Sequence, residues 1–173
     1  MNSRVYVLPA PCNLSTAQIA EGAEEVANVL KLQPGGDLEE VVHALCGRVV
    51  YESTDPWSDE SGSIFIETED DFEIVLPSHT SVARDRFTVA HELGHYFLHF
   101  AFPNLTTPMR AQRFGSGLVE IEANIFAASF LMPEKLFSEK FAEFEGHTLL
   151  LADYFKVSHS AAAVREKVLK LVR

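Results

Sequence analysis

The sequence predicts an α+β fold in which a small antiparallel sheet packs on helices. Apolar residues alternate in Ser63–Glu67 and Phe72–Leu76, and the acidic segment between them predicts a β-hairpin. Apolar residues at helical spacing predict helices before and after this hairpin. With 173 residues and 47% hydrophobic content, the chain is long enough for one domain with a substantial core. We therefore expect a single domain, 1–173, whose segment 134–173 forms a C-terminal helical subdomain.

Two helices and a strand are predicted before the hairpin. Ser15–Gln18 has the form of a capping box, which predicts the start of a first helix. Asp37 is a typical N-cap for a second helix, and Gly47 lies just past its predicted end. Arg48–Glu52 is predicted to be a short strand, and a polar loop, Ser53–Gly62, follows it.

A long loop and a further helix are predicted towards the C-terminus. Phe102–Gly117 contains several Pro and Gly residues, so we expect a loop that borders a functional site. The helix Val119–Leu131 follows and is broken at Met132–Pro133.

The hairpin lies just before the helix predicted over Arg86–His99, so the edge of the hairpin is a candidate for holding an extended peptide. The alternative is that the hairpin only covers the core.

The helix predicted over Arg86–His99 contains the pattern HExxH, formed by His91, Glu92 and His95. Residues four apart on a helix lie about 6 Å from each other on one face, so both imidazoles can reach one tetrahedral metal ion. The carboxylate of Glu92 then lies beside the metal, where it can act as a base. Gly94 costs helix stability, so we expect it either to allow close helix packing or to leave room beside the metal.

Two zinc-bound histidines need a third protein ligand if one position is to stay open for water, and His99, Glu120 and Glu122 are the candidates. His99 is about 12 Å along the helix axis from His91, too far for both to bind one ion with His95 between them. Glu120 is preferred because it shares its helix face with small residues that can approach another helix. Glu122 is the runner-up. Asn124 and His99 are predicted to hold a ligand in place by hydrogen bonds.

Charge and cysteine content limit the possible functions. The net charge of −11 argues against a broad nucleic-acid-binding surface, although Ser158–Arg173 has four basic residues against Glu166 alone. Cys12 and Cys46 belong to no CxxC pair and are expected to be reduced thiols. No apolar run reaches membrane length, so we expect a soluble, cytoplasmic protein without a membrane partner.

Three blocks, in this order, resemble the ImmA/IrrE family of bacterial metallo-endopeptidases. They are Arg86–His99, Glu120–Pro133 and Leu151–Ser158. The first two are specific in combination, and the third is weaker. The resemblance implies a zincin-like metallopeptidase core with one Zn²⁺ per chain, or another divalent ion such as Mn²⁺. It also implies that His91, His95 and a glutamate of the second block are the ligands and that Glu92 is the catalytic base.

The resemblance further implies a substrate and a biological role. Members of this family cut a helix-turn-helix repressor and so switch mobile-element or stress-response genes, and others belong to toxin–antitoxin-like pairs. Leu149–Leu171 itself resembles a helix-turn-helix, but its apolar residues can be used in packing and its positive excess is small, which argues against DNA binding.

Two other functions remain open from the sequence. One is a non-catalytic regulator that binds DNA or a partner and uses a structural metal. The presence of Glu92 disfavours it, because a closed structural site has no use for a carboxylate beside the ion. The other is a zinc hydrolase with a non-peptide substrate, which HExxH alone does not exclude.

Overall fold

The computed structural model describes residues 5–52, 63–78, 80–112 and 117–171. The α+β class predicted from the sequence is confirmed. The predicted polar loop, Ser53–Gly62, lies outside the described residues. The helices are α1 (Thr16–Val29), α2 (Leu38–Ala44), α3 (Val82–His95), α4 (Leu118–Leu131), α5 (Glu134–Glu143), α6 (Thr148–Phe155) and α7 (His159–Val168). The strands are β1 (Arg48–Glu52), β2 (Ser63–Thr68), β3 (Asp71–Pro77) and β4 (Met109–Gln112).

The sheet is mixed, with the order β1-β3-β2-β4. Strands β2 and β3 form the predicted antiparallel hairpin, and β4 is also antiparallel to β2. Strand β1, however, runs parallel to β3, so the small sheet predicted as antiparallel has one parallel pair of strands. Alternation of apolar residues identifies a strand but says nothing about the direction of its partner. Strand β4 was not predicted, because its four residues lie inside a segment with the composition of a loop.

Both strands of the hairpin are interior, so the prediction that the hairpin offers a free edge to a peptide is wrong. The outer strands of the sheet are β1 and β4. The outer side of β4 is itself paired at Met109 with Val7, in parallel orientation. The Val7 N–H donates to the Pro108 carbonyl at 2.9 Å, and the Arg110 N–H donates to the Val7 carbonyl at 3.0 Å. The segment before α1 therefore covers part of this edge.

The ends of the first two helices follow from local side-chain chemistry. Ser15 and Gln18 form the predicted capping box at the start of α1. Asp37 accepts from the Glu39 N–H at the start of α2. Gly47 does not supply the left-handed residue after α2, because Cys46 does, with φ of 63°. A Cβ on Gly47 would lie 2.3 Å from the ring of Phe72, so glycine is needed here for the core.

Helix α3 lies at the centre of the fold, between α4 and the sheet, and nearly all of its second half is buried. A Cβ on Gly94 would lie 3.1 Å from both the Cα and the carbonyl oxygen of Ala123 in α4. Of the two roles expected for Gly94, the structure therefore shows the close approach of a second helix. After His95 the chain continues as a π-helical turn, Tyr96–Ala101, and not as regular α-helix.

The last three helices pack against one another, and α7 also contacts the end of α4. The rings of Phe137 in α5 and Phe155 in α6 stack with centroids 5.3 Å apart. Arg165 in α7 is buried, and its guanidinium donates to the Met132 carbonyl at 3.0 Å and to the Ser129 hydroxyl at 3.4 Å. These contacts connect α7 to the end of α4. Among the described residues, no helix has the length and apolar character needed to span a bilayer.

Candidate metal centre

Three side chains from two helices meet at one point inside the protein. The Nε2 atoms of His91 and His95 lie 3.1 Å apart. The Oε2 atom of Glu120 lies 3.2 Å from His91 Nε2, and its Oε1 atom lies 3.5 Å from His95 Nε2. Glu120, and not Glu122, is therefore the glutamate that lies beside the HExxH histidines.

These distances fit a zinc ion. Bonds of 2.0–2.1 Å at tetrahedral angles place the ligand atoms about 3.3 Å from one another, and the three measured separations lie on either side of this value. Two imidazole nitrogens and one carboxylate oxygen are also the donors that hydrolytic zinc sites use, with a fourth position left for water or substrate. The cluster can thus hold a divalent metal ion.

The convergence depends on how closely α4 approaches α3. His91 and His95 point from the same face of α3, one turn apart, while Glu120 lies in the first turn of α4. Gly94 lies between His91 and His95 in α3, and Ala123 lies three residues after Glu120 in α4. The contact of Gly94 with Ala123 sets the separation of the two helices. Because Glu120 and Ala123 are three residues apart on one helix, they face the same neighbour. Small residues at this contact therefore bring the carboxylate within reach of both imidazoles.

Burial and neighbouring side chains together determine the charge of the cluster. The pKa of His95 is lowered to about 4, mainly by burial and also by the neighbouring His91 and His99, while Glu120 opposes the shift. For Glu120, burial acts to raise the pKa, but the neighbouring His91 and His95 outweigh it and bring the pKa to about 2. At neutral pH, His95 is therefore a neutral imidazole and Glu120 a carboxylate, which are the forms that bind metal.

Glu92 follows His91 in α3, and Asn124 in α4 contacts the ring of His91. Glu92 is only 1% exposed, and it leaves α3 about 100° around the helix from His91. The Oδ1 atom of Asn124 in α4 lies 3.1 Å from His91 Nδ1. Asn124 thus contacts the ring nitrogen of His91 that faces away from the cluster.

His99 and Glu122 form a separate buried pair. The Nε2 atom of His99 lies 2.9 Å from Glu122 Oε2, and its Nδ1 atom lies 3.1 Å from His95 Nδ1. Burial also lowers the pKa of His99, although Glu122 opposes the shift. The backbone N–H of Cys12 donates to the same Glu122 oxygen at 3.1 Å. No local pattern predicts Cys12 here, because the contact joins residues 110 positions apart.

Comparison with known proteins identifies the family. The sequence model of the peptidase family described as the IrrE N-terminal-like domain matches residues 43–167. The chain belongs to this family. Membership confirms the ImmA/IrrE resemblance found in the sequence, and the matched region contains His91, His95 and Glu120.

Two relatives of this ImmA/IrrE family member are similar in sequence to part of the chain. Metallopeptidase ImmA of Bacillus subtilis (strain 168) is 30% identical over 78 residues, which are 44% of this chain and 46% of that protein. Immunity region protein 2 of Bacillus phage phi105 is 39% identical over 68 residues, which are 38% of this chain and 41% of that protein. The matches thus span less than half the length of these relatives.

A solved structure shares the fold of this family member. A Mycobacterium tuberculosis transcriptional regulator aligns with a TM-score of 0.62 and 16% sequence identity. The alignment covers 86% of this chain and 46% of the regulator. At this identity the likeness describes the fold alone.

Proposed function

We propose that this protein is a zinc-dependent endopeptidase in which His91, His95 and Glu120 hold one Zn²⁺ and Glu92 is the catalytic base. The observation that carries the proposal is the meeting of two imidazole nitrogens and one carboxylate at separations of 3.1–3.5 Å. Family membership supports the same chemistry. Mn²⁺ is an alternative ion, because imidazole and carboxylate ligands also suit it.

Each residue has a defined task in this reaction. The ion, when bound, would lower the pKa of a water towards neutrality and polarise the carbonyl of the bond to be cut. The Glu92 carboxylate takes a proton from the attacking water and passes it to the nitrogen of the leaving amine. Asn124 accepts a hydrogen bond from the Nδ1–H of His91, which leaves the Nε2 lone pair directed into the cluster.

The substrate proposed is a protein, and specifically a helix-turn-helix transcriptional repressor whose cleavage switches gene expression. The resemblance to ImmA/IrrE proteins supports this choice, and so does the partial match to a phage protein named for an immunity region. Cleavage of such a repressor would make the protein a cytoplasmic regulator of transcription.

The second candidate is a non-catalytic regulator that binds DNA or a partner and uses a structural metal. Helices α6 and α7 are joined by a turn at Lys156, as in a helix-turn-helix, and a solved structure of this fold is named a transcriptional regulator. Against DNA binding, Arg165 is buried and donates to Met132, so it is not available to phosphates. The net charge of −11 also opposes approach to DNA.

Glu92→Gln tests the catalytic assignment. The amide cannot accept the proton of the attacking water, so repressor cleavage is expected to fall by roughly 10²- to 10⁴-fold while zinc remains bound. The assay incubates the purified protein with the candidate repressor, a helix-turn-helix protein encoded near its gene, and measures zinc in the same samples. Glu139→Gln, on the exposed side of α5, is the matched control and is expected to cleave normally.

The same samples separate the two candidate functions. Full cleavage by a Glu92→Gln variant that retains zinc would contradict the role of Glu92. A gel shift of the wild-type chain with operator DNA at physiological salt, together with no cleavage of the repressor, would favour the non-catalytic regulator.

A further inference from the structure

We propose that His99 and Glu122 are positioning residues that fix the ring tautomer of His95 and so determine which of its nitrogens can bind the ion. This inference rests on the proposed function, because it assumes that the cluster of His91, His95 and Glu120 holds a metal. It adds Glu122 to the role predicted for His99 and states what the two residues do to the ring of His95.

The contacts form a continuous chain away from the cluster. His95 Nδ1 contacts His99 Nδ1 at 3.1 Å, His99 Nε2 contacts Glu122 Oε2 at 2.9 Å, and the Cys12 N–H reaches the same oxygen at 3.1 Å. His95, His99 and Glu122 are each at least nine-tenths buried. Water therefore has little access to these groups, and their hydrogen bonds are made with one another.

The direction of each hydrogen bond in this series of contacts follows from its last members, the Glu122 carboxylate and the Cys12 N–H. A backbone N–H can only donate and a carboxylate can only accept, so Glu122 accepts from Cys12 and also from the Nε2–H of His99. A neutral His99 with its proton on Nε2 has a lone pair on Nδ1. It must then accept the Nδ1–H of His95, and the Nε2 atom of His95 keeps its lone pair for the ion.

A second ion beside the first is incompatible with this arrangement of protons. Cys12, His99 and Glu122 offer donor atoms within 4.8 Å of one another and resemble a metal site in composition. If His99 bound an ion through Nε2, its proton would move to Nδ1 and would be donated to His95. The proton of His95 would then move to Nε2 and block the cluster. With neutral imidazoles, these contacts therefore allow one ion to bind, at the cluster of His91, His95 and Glu120, but not a second ion at His99.

The test compares Glu122→Leu with Glu122→Gln in the full-length protein. Leucine leaves His99 without its acceptor, whereas the glutamine amide oxygen can still accept from both His99 and Cys12. Zinc affinity, measured by competition with a chromophoric chelator, is expected to weaken by roughly 10- to 100-fold in Glu122→Leu. Glu122→Gln is expected to stay close to the wild type. Each wild-type chain is expected to bind one zinc ion.

Nitrogen NMR of the histidine rings in the zinc-loaded wild type provides a second readout that needs no variant. The expected result is a proton on Nε2 of His99 and on Nδ1 of His95. A proton on Nδ1 of His99, or two zinc ions per chain, would overturn the inference. This measurement remains decisive if Glu122→Leu fails to fold.

Failure of this inference is distinguishable from failure of the proposed function. A wild type that binds one zinc ion, with equal affinity in Glu122→Leu, would overturn the role of Glu122 and leave the peptidase proposal intact. A wild type that binds no zinc would overturn both.

Discussion

The buried ring of His95 makes the stability of the metal-free protein depend on pH. Its pKa is about 4 in the folded chain because of burial, against an ordinary value of 6.5. Between these values the unfolded chain binds a proton that the folded chain excludes, so acid favours unfolding. Above pH 6.5 the ring is neutral in both states and the effect disappears. His99, whose pKa burial also lowers, adds to the same trend.

We therefore expect the free energy of unfolding, measured with urea in the presence of chelator, to fall on acidification from pH 7.5 to pH 5. The contribution of His95 to this fall is about 2 kcal/mol. His95→Gln should reduce the difference between the two pH values, whereas His43→Gln, at an exposed position of α2, should not. Equal stability of the wild type at both pH values would contradict this account.

Single residues differ in how well the sequence predicted them. The approach of His91 to His95 was predictable because it depends on spacing within one helix, whereas the catalytic role of Glu92 stays a prediction. The preference for Glu120 over Glu122 came from the small residues on its helix face, and in the structure that face approaches α3. The contact of Cys12 with Glu122 had no local signature, because it joins two distant segments.

At the scale of elements, the approach of α4 to α3 at Gly94 is the feature on which the cluster depends. A methyl group there would lie 3.1 Å from backbone atoms of Ala123, which cannot rotate away as a side chain can. The helix gains roughly 1 kcal/mol when alanine replaces glycine, but overpacking costs about 1–3 kcal/mol. The two helices must then separate slightly.

We expect Gly94→Ala to lower the free energy of unfolding by up to about 2 kcal/mol and to weaken zinc binding as well. Gly22→Ala is the matched control, because Gly22 lies inside α1 and a methyl group added there would have no atom within 4 Å. This control should gain about 0.5–1 kcal/mol. Thermal and urea unfolding of both variants provide the comparison, and a stabilised Gly94→Ala would refute the packing argument.

Helices and strands were predictable where their apolar residues repeat with a clear period. Which strands pair with each other was predictable only for the hairpin. The hairpin of β2 and β3 was visible because its two strands are adjacent in sequence. The parallel pairing of β1 with β3 and the addition of β4 depend on contacts across the chain, which local composition does not encode.

At the scale of the whole molecule, the proposed ion would link the two helices that form the largest contact of the fold. Ligands from α3 and α4 exist together only in the folded state, so zinc should stabilise the protein. At a zinc concentration about 100 times the Kd, the gain is about 2.7 kcal/mol, or roughly 5–10 °C in Tm for a chain of this size.

Differential scanning fluorimetry with zinc and with chelator measures this shift. Glu120→Gln should lose most of the zinc-dependent gain, while Glu139→Gln on the surface of α5 should keep it. A wild type with the same Tm under both conditions would argue against a metal shared by the two helices.

The family and the α+β class were predictable from the sequence because they depend on a few blocks of residues in a fixed order. The arrangement of the N-terminal segment, which pairs with β4 and also contacts Glu122, was not predictable. This segment lies before residues 43–167, the region that the family model matches.

The π-helical turn Tyr96–Ala101 has an implication for length variation among relatives. Such a turn bonds each residue to the fifth one along and holds one residue more than a regular turn. Deletion of one residue between His95 and His99 would restore the regular helix and rotate everything after it by about 100°. Phe100 would then stand four residues after His95. In alignments of relatives, a one-residue gap in this segment should therefore occur together with the loss of histidine four residues after the position of His95.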